Sequence, residues 1–223
     1  MEASTKSYNG IDVIPEDIAT VQGKNWLNST PILVIIQMEI DHKKYEDQRG
    51  ISLIDPLITS LIAHSDDYEE AASIIDSISQ LRLSENLILM PINNQHSASS
   101  SGDHWSLCIM QTSRVWHLCS MNRDMPKSAK QALKYLGQFA NKKESDMDTL
   151  VKQTNLTYGQ KNSHDCGLFV IELARNIIRS YCEKNAQNID IDTLIHTVAQ
   201  NTRFNSAELR TEIMNKLNKL PTK

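Results

Sequence analysis

The apolar positions of this chain fall into two kinds of run. In the first third they recur at helical spacing: Thr30-Pro31 opens a stretch from Ile32 to Ile40, Asp55-Pro56 opens another through Ile62, and Tyr68 to Leu81 forms a third. A proline in the first helical turn is a start signal, because its missing N–H would have no intrahelical partner there. In the middle the runs are short and nearly continuous, over Leu87 to Ile92, Trp105 to Met110 and Val115 to Cys119, with a further candidate over Thr149 to Leu156. These predict strands, with Gln111 to Arg114 as a hairpin connection. From Cys166 to Ile178 apolar residues occupy nearly every face, which predicts a central, buried helix. Lys127 to Phe139 and Ser206 to Leu217 carry one apolar stripe each and predict amphipathic surface helices. Helices, then strands, then a core helix with trailing helices make an α+β domain whose small sheet packs on the helix of Cys166. Met1 to Gly10 lacks periodicity and is expected to be a flexible N-terminus, leaving residues 11–223 as a single domain. Ser97 to Gly102, Ser-Ala-Ser-Ser-Ser-Gly, is expected to be a mobile loop just ahead of His104.

Composition narrows the function classes. With 223 residues and 40% hydrophobic positions the chain can bury one sizeable core. A net charge of -4 argues against nucleic acid as a partner, since phosphate binding needs a basic field. No apolar run reaches the roughly 20 residues of a membrane span, and the N-terminus lacks the apolar stretch of a signal peptide. The expectation is a soluble monomer, cytoplasmic and/or nuclear, with no membrane partner. The cysteines, Cys108, Cys119, Cys166 and Cys182, are widely spaced and form no C-x-x-C pair, so neither a zinc site nor a disulfide framework nor any cofactor is expected.

The chemistry concentrates around Cys166. A cysteine in the first turn of a helix meets unpaired backbone N–H groups and the positive end of the helix dipole, both of which favour a thiolate. Asp165 is suited to cap that helix, and Gly167 leaves the backbone open to an approaching carbonyl. The same pair, Cys166-Gly167, also fits an ordinary buried cysteine at a helix start. A nucleophilic thiol needs a base, and His104, at the start of the strand in Asp103-His104-Trp105-Ser106-Leu107, is the best placed of the seven histidines. Gln160, six residues before Cys166, is a candidate donor to the oxyanion, together with the backbone N–H of Cys166.

His104-Trp105-Ser106-Leu107 followed by Gln160-x-Asn162-x-x-Asp165-Cys166-Gly167 resembles the ubiquitin-like-protein proteases, the desumoylases and deneddylases. Asn25-Trp26-Leu27-Asn28 resembles that family's Trp-Leu-Asn-Asp segment, and the likeness runs from about Ile11 to Asn185. The connection from Asn93 to Asp103 is similar in length to that of the deneddylases. The resemblance implies a papain-like fold of the ubiquitin-like-protease type with a small mixed sheet. It implies Cys166 as nucleophile, His104 as base and Gln160 as oxyanion donor. It also implies that Trp26, Trp105, Asn28 and Asn93 line a channel for the diglycine tail of a modifier, NEDD8 first, with SUMO and ubiquitin as alternatives.

Two positions depart from the family's pattern. Ser29 stands where it has the second aspartate of Trp-Leu-Asn-Asp. Cys119 stands where it has the aspartate that orients the histidine. A neutral thiol is a weak acceptor, so activity is expected to be lowered. Asn122, Asp124, a water or Cys119 itself remain candidates for the orienting role. The competing readings are a pseudoprotease that binds a modifier without efficient cleavage and, further off, an acyltransferase using the same cysteine and histidine.

Overall fold

The computed structural model describes residues 4–42, 50–78, 87–95, 102–111, 114–141, 151–183 and 190–223. The chain opens with a hairpin, β1 (Lys6–Tyr8) and β2 (Ile11–Val13), joined at Asn9-Gly10. Both turn residues have positive φ, 49° and 84°, the combination that a two-residue hairpin turn requires and that asparagine and glycine tolerate best. The expectation that residues 1–10 are loose therefore fails over Lys6–Tyr8, where the strand also bonds to the C-terminal Pro221 carbonyl. Helix α1 (Pro15–Val21) follows, then α2 (Ser29–Ile40).

A five-stranded mixed sheet forms the centre, in the order β3 (Ile51–Leu53), β4 (Leu87–Asn93), β5 (Trp105–Gln111), β6 (Arg114–Cys119), β7 (Val151–Asn155). The outer pairs β3–β4 and β6–β7 are parallel, and the inner pairs are antiparallel. Pro91 sits in β4 without breaking it. The pairing with β3 runs only to Leu89, so no β3 residue stands opposite the proline to need an N–H.

Both faces of this sheet are covered, which is why its strands read as continuous rather than alternating apolar runs. Leu89, Leu107, Ile109, Trp116 and Leu118 point into a core shared with α2, α6 (Cys166–Cys182), α7 (Ile191–Asn201) and α8 (Ser206–Asn218). Ile88, Met90, Cys108, Met110 and Val115 point the other way, against α3 (Pro56–Ala63), α4 (Tyr68–Asp76) and α5 (Lys127–Asn141). The fold is α+β, with the expected buried helix at Cys166. Residues 79–81, 97–101, 112–113 and 149–150, which carried parts of the expected third helix, loop, hairpin turn and last strand, lie outside the described residues.

Candidate active site

Cys166 is the first residue of α6 and only 2% exposed. Its thiol is pushed up by burial, and hydrogen bonds from the backbone N–H groups of Trp105 and Gly167 offset this only in part. That corrects the expectation of a thiol lowered by the helix start: the helix end contributes in the expected direction, but removal from water outweighs it. Asp165 occupies the N-cap position, yet its side chain makes no cap bond. Its carboxylate instead accepts from Asn162 Nδ2 at 2.7 Å, Ser206 Oγ at 2.7 Å and Arg210 Nη2 at 3.0 Å. Burial alone would raise this carboxyl, but the bonds from Ser206, Asn162 and Arg210 hold it below the usual range.

His104 lies immediately before β5, so the strand carries it to the cleft, and its ring is buried. Its Nε2 stands 3.1 Å from Cys119 Sγ at the end of β6. Cys119 is thus the side chain in contact with one ring nitrogen, and Nδ1 is the other. Burial, then the charge of Arg123, lowers His104 to about 4. Burial thus works against charge on both groups, raising the thiol and lowering the imidazole.

Of the other orienting candidates, Asn122 is engaged elsewhere and Asp124 shares a hollow with His104. Asn122 uses its side chain on the backbone of Leu156, accepting from the N–H at 2.9 Å. Asp124 stands at the rim of a second hollow, roughly 670 Å³, that backs onto His104 and Cys119 and is also lined by Ser106, His117 and Lys127.

The front cleft, roughly 300 Å³, brings together Cys166, His104, Trp26, Trp105, Asn28 and Asn93, with Ser29 beside them. Trp105 is buried and donates from Nε1 to the Leu27 carbonyl at 2.8 Å, while Trp26 is 48% exposed. Asn28 Nδ2 is held by Asp17 at 2.6 Å. Gln160 is not among the groups lining this cleft. Its Oε1 accepts from Ser120 Oγ at 2.8 Å and its Nε2 donates to the Asn162 carbonyl. Gly159 permits this arrangement, because a Cβ there would lie 2.7 Å from the Ser120 carbonyl oxygen.

Sequence reasoning passed over Arg210, which is buried beneath the site on α8. An arginine directly after Leu209 in a helix whose Leu209, Ile213 and Leu217 are buried was the available signal.

One pH dependence follows from His104. Its folded value lies below the ordinary 6.5, so between that pH and about 4 the unfolded chain binds a proton that the folded chain refuses. Stability is full above this window and falls as pH drops through it. His117, also lowered by burial, adds in the same direction. Urea midpoints measured across the window should decline, and His104→Asn should flatten part of that decline.

A thiol at a helix start and an imidazole just ahead of a strand, lining one cleft with two indoles, are the parts of a cysteine protease. Residues 25–217 match the Ulp1 protease family, C-terminal catalytic domain, and the chain belongs to that family. It is 24% identical over 193 residues to sentrin-specific protease 8 of Homo sapiens, covering 84% of this chain and 89% of that protein. It is 27% identical over 189 residues to NEDD8-specific protease 1 of Arabidopsis thaliana, covering 82% and 79%. Among solved structures, a de-sumoylating protease superposes with TM-score 0.64 at 16% identity over 96% of this chain and 90% of that one. The Xanthomonas campestris effector XopD, bound to ubiquitin, superposes with TM-score 0.66 at 14% identity over 90% of this chain and 98% of its own. The protein is an Ulp1-family cysteine protease, and the binding-only reading gains no support from these relatives.

Proposed function

We propose that the protein hydrolyses the bond after the C-terminal Gly-Gly of a ubiquitin-like modifier, with NEDD8 as the preferred one and SUMO or ubiquitin as the alternatives. The observation that carries this is the cleft that Cys166 and His104 line together with Trp26 and Trp105. Flat indole walls leave room for a tail without side chains and exclude branched ones. The preference for NEDD8 draws on the relative named NEDD8-specific protease 1.

Burial disfavours the thiolate, and the reaction starts with proton transfer from Cys166 Sγ to His104 Nδ1 as sulfur attacks the glycine carbonyl. His104 then gives that proton to the leaving amine, and water releases the modifier. The oxyanion is met by the backbone N–H of Cys166. We assign Gln160 the second donor, for which its Nε2 must leave the Asn162 carbonyl.

The test presents the protein with NEDD8, SUMO and ubiquitin, each ending in a C-terminal electrophile. NEDD8 should give a covalent adduct at Cys166 fastest. A faster adduct with SUMO or ubiquitin would reassign the modifier, and measurable binding with no adduct from any of the three would overturn the proteolytic reading.

A further inference from the structure

Arg210 reaches from α8 into the ground between the cleft wall and the nucleophile. Its Nη1 donates to the carbonyl of Val21 at 3.1 Å and to that of Thr20 at 3.5 Å, at the end of α1. Its Nη2 donates to the Asn25 carbonyl at 3.0 Å, the His164 carbonyl at 3.1 Å and Asp165 Oδ1 at 3.0 Å. One guanidinium thus joins three segments: the end of α1, the residue before Trp26, and the two residues before Cys166. A planar fork of five donors fixes their spacing in a way that a flexible ammonium on a single point cannot.

The wall residue is bracketed. Asn25, on one side of Trp26, is held by Arg210, and Leu27, on the other, accepts from the Trp105 indole. Leu27 also rests directly on the first turn of α6, where a Cβ on Gly167 would come within 2.9 Å of the Leu27 Cβ. The half-exposed indole of Trp26 is therefore carried by a short piece of chain anchored at both ends, once to the nucleophile's loop and once to the opposite wall.

We propose that Arg210 is a specificity-determining positioning residue, setting the aperture between Trp26, Trp105 and Cys166 so that a glycine tail passes and a side chain does not. The inference rests on the proposed Gly-Gly reading and names what enforces it. Arg210 touches neither substrate nor reacting atoms, so its effect is selective: it bears on which tails enter, beyond how well the protein folds. Excluding one methyl group from a tight pocket is worth about 10- to 200-fold in kcat/KM, and that ratio is the quantity Arg210 controls.

The experiment compares kcat/KM for modifier fusions ending in Gly-Gly and in Ala-Gly, for the parent protein and for Arg210→Lys, with melting temperatures recorded for each. Lysine keeps a cation beside Asp165 but cannot bridge three segments. The expected result is a folded variant in which the Gly-Gly to Ala-Gly ratio falls at least about tenfold, with Gly-Gly slowed and Ala-Gly slowed less or sped up. Arg210→Gln, which keeps a planar donor without the charge, should lie between the two. An unchanged ratio in a folded variant, both tails falling together, overturns the inference. So does failure of both variants to fold, which would make Arg210 a foundation of the fold and nothing more. A parent protein that cleaves no Gly-Gly tail would sink the proposed function instead, so the two failures are distinguishable.

Discussion

With Cys166 replaced by alanine, turnover of a Gly-Gly-terminated modifier fusion falls by about 10⁴ or more, the scale on which removing the nucleophile of a catalytic triad acts. The fold should persist, because the change deletes one sulfur from a helix start whose packing partners remain, and Leu27 still rests on Gly167. Modifier binding, read by calorimetry, should stay within a few-fold of the parent, since the change leaves the other residues of the cleft in place. A variant that no longer folds would return Cys166 to the core cluster in which it is packed and remove it from the chemistry.

The second large effect runs upward. Cys119→Asp should raise kcat/KM by about 10 to 10³, recovering part of the roughly 10⁴ that an orienting acid contributes to a triad. The reason lies in the 3.1 Å contact between His104 Nε2 and Cys119 Sγ. A carboxylate can only accept there, which places the proton on Nε2 and the lone pair on Nδ1, toward Cys166. A thiol can also donate, and when it does the ring carries its proton on Nδ1 and is no base for Cys166. The hollow behind Cys119 leaves room for the larger carboxylate. Opposite charge beside the ring should lift His104 from about 4, and the raised thiol of Cys166 should come down as imidazolium is stabilised. Alkylation of Cys166 in the parent protein should therefore climb with pH through the neutral range, whereas in Cys119→Asp it should flatten. Asp124→Ala should change little in either background. If Cys119→Asp is slower and Asp124→Ala abolishes activity, the acid has been placed on the wrong residue.

Much of the sheet and of the site was legible because burial on both sides leaves a plain mark. The apolar runs at Leu87, Trp105 and Val115 are strands, and the all-round apolar stretch at Cys166 is the central helix. Short elements were not: β3 has three residues, too few to show a period, and α1 carries little apolar patterning. The hairpin at Asn9-Gly10 did carry its turn signal, but its strands are three residues each, too short to show an alternation. Around the site, Asp165 read as a helix cap because that is the local use of an aspartate there. Only the fold brings Arg210 within reach, across 45 residues, to draw its carboxylate away. The ionisation of Cys166 was misjudged for a related reason: the helix end is a local property, while burial in the core cluster is not. Gln160 likewise has the right place along the chain, but its amide is held by Asn162.

The contact between Arg210 and the nucleophile's loop also has a bearing on biosynthesis. A chain emerges from the ribosome N-terminus first, so Cys166, His104 and both cleft tryptophans are made before α8. Until Arg210 has cleared the exit tunnel, Asn25 and Asp165 have no guanidinium to join them. The nascent chain thus carries its reactive sulfur past other newly made proteins before the cleft around it is complete, and a message truncated within α8 would yield a chain with every reacting group present and its framework unfinished.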